Sequence, residues 1–534
     1  MTRVQRLALN AVLALAAGAA AGVAHPPFGL LPGLIGYALL LAVIDRVEAW
    51  RPLRSAFWRG WLAGSAYFLV GCWWVAEAFK VDPEQAWMAP FAAAFMAMGL
   101  GLFWGAAGAL YAWLKPEHPL WKALVFAGAL SAMEWLRGHV LTGFPWDLPG
   151  ETWAAGSAPS QFASLVGAYG LTWITVAAVC ALAAPLIVER DRRSFICAGV
   201  GVLAIAGLYG FGLQRLSHVA APDPAAPQVR IVQADITQPM LEDASAFPAI
   251  LNRYLKLTDL PAAKRPTIVV WPEGALPVSA NDMLASDSWV SPVIGKTLGP
   301  DQLLLMGSYR VLGPANAPLY RNSLLALRRQ DTPAGPALQL RMFYDKYRLV
   351  PFGEYLPLDQ LMGKLGIKKL VHVGDGFSSG PEPQPMEALG APVVQPLICY
   401  EALFPGFISR GEAMSGLRAR WIVNVSDDAW FGVTSGPWQH LNLSSYRAIE
   451  SGLPMVRSTP TGVSAVIDAY GRAPETSRLG LGQQGVIDAP LPPALPKTPY
   501  DQFGETAFAL MLCLSLVAVF PKLRPFGVDR LRKT

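Results

Sequence analysis

Charge is scarce in this chain: 15% of its 534 residues are Asp, Glu, Lys or Arg, against about 25% in an ordinary soluble domain. With 53% apolar residues, a wholly soluble protein is excluded and much of the chain is expected in lipid. Cysteine is scarce too. The five, Cys72, Cys180, Cys197, Cys399 and Cys513, are odd in number and four lie in apolar runs, which excludes a disulfide framework and a cysteine-ligated zinc site. Six histidines are present, and there is no Gly-x-x-x-x-Gly-Lys phosphate loop. The formal net charge of +5 would suit an anionic partner. The basic residues, however, cluster beside apolar runs, where a membrane protein needs them, so nucleic acid is not expected as a partner.

What the chain has instead is long apolar runs, at about 7–24, 28–45, 56–79, 89–114, 119–136, 165–188 and 195–213, with a shorter one at about 504–520. About 20 helical residues cross a bilayer, so about eight transmembrane helices are expected. The first run also resembles a cleavable signal peptide, but at about 18 residues it exceeds the usual signal core, which favours a retained span. Lys and Arg in the short loops are asymmetric: sixteen, from Arg3 to Lys533, fall on one side, and two, Lys80 and Arg137, on the other. Positive charge resists translocation, so both termini are expected in the cytoplasm. The expected organisation is a membrane bundle of about seven helices at 1–217, a globular domain at 218–502 outside the cytoplasm, and a last span with a basic tail at 503–534.

In the middle region, short β-branched runs at 229–232, 267–271, 303–308, 393–398, 421–425 and 463–467 alternate with helical stretches at about 246–259 and 438–451. Strands apolar on both faces, separated by helices, predict an α/β domain whose sheets are buried between layers.

Three ionisable residues stand where strands end, the usual place for catalytic groups on such a scaffold. Glu273 follows Thr-Ile-Val-Val-Trp-Pro, and Cys399 ends Val-Val-Gln-Pro-Leu-Ile and precedes Tyr400 and Glu401. Lys346 sits among aromatics in Phe-Tyr-Asp-Lys-Tyr-Arg-Leu-Val-Pro-Phe-Gly-Glu-Tyr, with Glu354 eight residues on. Each has a plain structural alternative: a solvated turn carboxylate, a small core thiol, an exposed lysine. His372 and His440 have contexts no better than surface or packing positions.

Together these segments resemble the nitrilase superfamily, whose members use Glu, Lys and Cys in this chain order with a second Glu in a Phe-Gly-Glu-Tyr-like motif. With the membrane frame, the whole chain resembles the apolipoprotein N-acyltransferase family. The likeness is carried by Trp271-Pro272-Glu273, 346–355, Cys399-Tyr400-Glu401, Asp428-Ala429-Trp430-Phe431-Gly432 and 462–468. Two positions depart from the family pattern: Asp427 stands where Asn is usual, and Thr461 precedes Gly462 where the family has Asn-Gly.

The resemblance implies an αββα nitrilase-like sandwich inserted in a membrane bundle of the bacterial inner membrane, with the domain on the periplasmic side. It implies acyl transfer from a membrane phospholipid, through a thioester on Cys399, to the α-amine of a diacylglyceryl-modified lipoprotein. Glu273 is the implied general base. Lys346 and the Tyr400 N–H are the implied oxyanion donors, with Glu354 holding Lys346 and Glu401 in support. No cofactor or metal is needed, because the donor is already an ester. Trp430 and Phe431 either line a substrate pocket or plug a loop. Trp146, with Phe144 and Trp153 in the 137–163 loop, is expected at the membrane interface, as an anchor or as part of the lipid entry. The 356–373 segment alternates Leu, Met and Ile with Lys, a pattern suited to lying on lipid or to packing inward. Two other functions compete: a tethered amidase or nitrile hydrolase, in which water resolves the thioester, and a transporter, which would need midplane acids where this chain offers Glu77 and Glu134 toward span ends.

Overall fold

Residues 2–47, 51–188, 190–219, 223–333, 335–356, 376–388 and 390–517 are described by a computed structural model. The 356–373 segment beyond Leu356 and the basic tail therefore lie outside the described residues. The chain divides into two units: Met1–Ala76 with Met88–His218 and Gln502–Thr534, and Glu77–Trp87 with Val219–Asp501.

The first unit is helical. Its main helices are Arg3–Val23, Ile35–Asp45, Pro52–Cys72, Ala89–Leu114, Pro119–His139, Ala163–Leu182, Arg192–Leu216 and Thr506–Val517. Four helical segments among the described residues are long and apolar enough to cross a membrane: Arg3–Val23, Ala86–Leu114, Pro159–Leu182 and Arg192–Leu216. Leu31–Asp45 and Thr506–Val517 are apolar but shorter. Several runs end earlier than their hydropathy suggests. Helix in the second run starts only after Pro26, Pro27 and Pro32, which lack the N–H a helix interior needs. The third run stops at Cys72 and resumes as the short turn Val75–Ala78.

Small residues set the packing of these helices. A Cβ on Gly60 would lie 2.3 Å from the Trp104 carbonyl, so Pro52–Cys72 and Ala89–Leu114 approach backbone to backbone. Glu134 is fully buried, accepts from Trp104 Nε1 at 2.7 Å and pairs with Arg137. It is thus a neutralised packing element, not the free midplane acid a transporter requires.

The second unit holds two sheets. Strands β1 Gln228–Gln233, β2 Ile268–Val270, β3 Leu303–Leu312, β4 Leu319–Thr332 and β5 Gly335–Asp345 join β11 Gly485–Pro490 in the order β11-β1-β2-β3-β4-β5. Strands β6 Val394–Ile398, β7 Trp421–Val425, β8 Met455–Ser458, β9 Ser464–Ile467 and β10 Arg478–Leu479 form the other, in the order β10-β9-β8-β7-β6. The central pairs β1/β2/β3 and β6/β7/β8 are parallel.

Alternation assigns each face. Ile268, Val270, Leu303 and Leu305 pack with Val394, Trp421, Val423 and Val456 between the sheets. Their neighbours Val269, Trp271, Leu304 and Met306 pack outward against helices Phe247–Thr258 and Val290–Thr297. On the far sheet, Arg457 of β8 reaches Ser444 of helix Gly436–Ser451. The result is helix, sheet, sheet, helix, and strands buried on both faces explain the unbroken apolar runs. Each fully buried Val, Leu or Ile contributes about 1.5–3 kcal/mol, enough in sum to hold polar groups rigidly at the strand ends.

Candidate active site

Three strand ends and one hairpin supply the polar residues. β2 closes with Trp271 and Pro272, and Glu273 follows. Gly307 of β3 makes room for it, because a Cβ there would sit 2.4 Å from Glu273 Cα. Lys346 follows β5, and the hairpin register (Ser323 opposite Asp345) sets Asn322 beside it, with Lys346 N–H donating to the Asn322 carbonyl at 2.7 Å. Cys399 follows β6 at φ +49°, a left-handed conformation uncommon outside glycine, and opens the turn Cys399–Leu403.

The structure brings Glu273, Lys346 and Glu354 into direct contact. Lys346 Nζ donates to Glu273 Oε1 at 3.0 Å and to Glu354 Oε1 at 3.1 Å. Asn322 Nδ2 donates to the same two oxygens at 2.7 and 2.8 Å. The Asp427 N–H holds Glu273 Oε2 at 2.8 Å, and the Val350 N–H holds Glu354 Oε2 at 2.9 Å. Cys399 is buried with them. Glu401 lies underneath and organises the segment. Its Oε1 accepts from Tyr344 Oη (2.7 Å), Tyr347 N–H (2.8 Å) and Arg348 N–H (3.1 Å), and its Oε2 from Ile398 N–H (2.7 Å), so one carboxylate ties the Lys346 loop to the Cys399 turn.

Charge states follow from burial and neighbours. Burial pushes the Cys399 thiol well up, the Glu273 carboxylate adds to this, and Lys346 opposes it. The resting group is therefore a thiol and needs a base. Burial alone would pull the Lys346 ammonium down, but Glu273 and Glu354 outweigh it and hold it well above its ordinary value. Burial raises Glu401 to about 7. Burial, and then the neighbouring Glu273 carboxylate, raise Asp427 to about 8.

Three features escaped the sequence reading. Asn322 bridges both glutamates, and only strand register reveals it. Asp428 is buried and bonded by Arg457 Nη2 at 2.8 and 2.9 Å, Ser426 Oγ at 2.8 Å and His440 Nδ1 at 3.0 Å. His440 is thus neither a surface nor a plain packing residue: it is 1% exposed, and its Nδ1 is hydrogen-bonded to Asp428. Finally, Glu77–Trp87, a segment between two helices of the first unit, belongs to this one. Glu77, Lys80, Thr237, Asp428, Gly432 and Val433 are among the residues lining a cavity of about 250 Å³.

Trp430 and Phe431 lie half-buried on the turn Asp428–Phe431, and neither lines that cavity. The Phe431 ring packs edge-on to His440 at 5.7 Å. Trp146 lies in the helical unit. It is 1% exposed within the helical unit, stacked on Phe144 and against Trp74 at 4.5 Å, and Trp153 is likewise buried, donating to Thr175. These rings pack against protein partners. Among the described residues, no cluster of His, Cys, Asp and Glu could hold a metal ion.

Comparison with known proteins places the chain among relatives. Residues 17–182 match the family model of the apolipoprotein N-acyltransferase N-terminal domain, and residues 228–495 match that of carbon-nitrogen hydrolases. The apolipoprotein N-acyltransferase of Caulobacter vibrioides is 54% identical over 94% of this chain and 93% of its own. Those of Bradyrhizobium diazoefficiens and Rhodopseudomonas palustris are each 36% identical, over 95% and 97% of this chain and 94% and 96% of theirs. By sequence and by domain content, this chain belongs to the apolipoprotein N-acyltransferase family.

Proposed function

We propose that this enzyme moves a fatty acyl group from a membrane phospholipid to the α-amine of an N-terminal S-diacylglyceryl cysteine on lipoproteins, with Cys399 as the covalent carrier. The observation that carries the reading is the buried Lys346, held between Glu273 and Glu354 in the same site as a buried thiol. A thiol raised by burial attacks only when a base takes its proton. Glu273 is that base. As Cys399 Sγ bonds to the ester carbonyl carbon, its proton passes to Glu273 and negative charge moves to the carbonyl oxygen.

Lys346 meets that charge. An ammonium has three donors; two are spent on the glutamates, and the third serves the oxyanion, with the Tyr400 amide as the second donor. Collapse expels the lysophospholipid alkoxide, which takes the proton from Glu273 and leaves a thioester. The lipoprotein amine then attacks the thioester carbonyl, the proton it sheds passes through Glu273 to the departing thiolate, and an amide forms. The route is ping-pong and needs no ATP. We place the catalytic unit on the periplasmic side of the bacterial inner membrane with both termini in the cytoplasm, on the asymmetry of Lys and Arg in the short loops.

The test uses lipid-embedded enzyme, phospholipid with a labelled acyl chain, and a diacylglyceryl-cysteine peptide. Label in a hydroxylamine-stable amide on the peptide is the expected result. Release of labelled free fatty acid with unmodified peptide would instead identify a hydrolase.

A further inference from the structure

Behind the nucleophile lies a polar cluster that the acyl-transfer steps above leave unused. Strands β6 and β7 pair in parallel with Ile398 opposite Val425, so the next residue of each, Cys399 and Ser426, lie side by side. Ser426 is fully buried, and its N–H donates to the Ser458 carbonyl at 2.9 Å, fixing it to β8 as well. Its Oγ donates to Asp428 Oδ1 at 2.8 Å and receives a longer bond from Arg457 Nη2 at 3.4 Å.

Asp428 does not depend on that hydroxyl. Arg457 Nη2 reaches both of its oxygens, at 2.8 and 2.9 Å, and His440 Nδ1 lies 3.0 Å from Oδ1. A carboxylate oxygen only accepts here, so His440 Nδ1 carries the proton. The hydroxyl hydrogen of Ser426 therefore has a choice of two acceptors, the Asp428 carboxylate and the neighbouring Cys399 sulfur, and turning it away leaves Asp428 still bonded.

We propose that Ser426 is a positioning residue for the nucleophile: a buried hydroxyl rotor that accepts from the Cys399 thiol at rest and donates to the sulfur once the proton has left. At rest the chain runs from Cys399 S–H to Ser426 Oγ, and from Ser426 O–H to Asp428. When Glu273 removes the thiol proton, the Ser426 hydroxyl turns toward the thiolate, while Arg457 and His440 keep Asp428 satisfied. The same donor is present each time thiolate is the leaving group, in the aminolysis step as well as before acylation. Ser426 is among the groups that oppose the rise burial gives the Cys399 thiol, as a donor to the thiolate would be.

The inference rests on Cys399 as the nucleophile, and its test separates the two. Alkylation of Cys399 in lipid-embedded enzyme by iodoacetamide is followed across pH by peptide mass mapping. In Ser426→Ala, Cys399 alkylation at neutral pH is expected to fall about tenfold, as for loss of a hydrogen bond to an anion, and its pH midpoint to move up. Turnover should fall through kcat, with KM for phospholipid retained, and Ser426→Thr should restore the pH midpoint.

An unchanged Cys399 midpoint in Ser426→Ala would overturn the proposal, as would a loss confined to KM. A Cys399→Ala enzyme that still transfers acyl groups would remove the thioester reading itself, whatever Ser426 does to the thiol.

Discussion

At the scale of single residues, the site is a problem in charge placement. One ammonium faces two carboxylates and a thiol, and every oxygen of Glu273 and Glu354 already holds a donor. Cys399→Ala removes the carrier and is expected to abolish acyl transfer while the fold persists; retained transfer would exclude a thioester. Lys346→Ala removes an oxyanion donor, so acylation should slow by about 10² or more. A near-normal single-turnover rate would contradict that role.

Asp427, the departure from the family pattern, gives a pH signature. Its folded value of about 8 lies above the unfolded one of 3.8. Its contribution to stability is therefore complete below about pH 4 and is lost as pH rises toward 8. Asp427→Asn removes that loss. The difference in apparent Tm between variant and parent should grow with pH across this window and level off above it, whereas a pH-independent difference would show that Asp427 carries no shifted proton.

At the scale of elements, strand ends and one hairpin do the positioning. Gly307→Ala tests the packing of β3 against the backbone of Glu273, since the new Cβ would lie 2.4 Å from an atom that cannot swing aside. A loss of about 1–3 kcal/mol is expected, with acylation reduced further than stability alone explains. Full activity at unchanged Tm would mean that the base tolerates displacement.

This scale also separates what was legible from what was not. The strand leading to Glu273 is an unbroken apolar run, the one leading to Cys399 is broken only by Gln395, and β7 Trp421–Val425 falls where its β-branched run lies. The hairpin β4/β5 does not announce itself. Arg328, Arg329 and Gln330 interrupt one strand and Gln339 and Arg341 the other, because one face of this sheet edge is wet. Asn322 could not be found without that hairpin. Asp428, His440 and Arg457 come from a turn, a helix and a strand, 12 and 29 residues apart, so no local pattern joins them. The contacts of Trp146 with Phe144 and Trp74 are likewise set by tertiary packing that the loop sequence does not announce.

At the scale of the whole molecule, composition and family agree on a membrane-bound acyltransferase. Four of the described helices are both long and apolar enough to span a bilayer, among the eight apolar runs that hydropathy suggests. Pro52–Cys72 and Pro119–His139 are 21 residues long as well but are less apolar, with Arg59 and Arg137 buried inside them. The orientation can be read directly. Glu475, exposed on the catalytic unit, replaced by cysteine should react with a membrane-impermeant thiol reagent in spheroplasts. Reaction only after lysis would reverse the proposed topology.

The most direct measurement is the intact mass of purified, lipid-embedded enzyme incubated with phospholipid alone, quenched in acid and split into samples with and without hydroxylamine. The thioester mechanism predicts a gain of one fatty acyl group, mapped to Cys399 and released by hydroxylamine. An unmodified Cys399, in enzyme that still transfers acyl groups once the lipoprotein peptide is added, would contradict it.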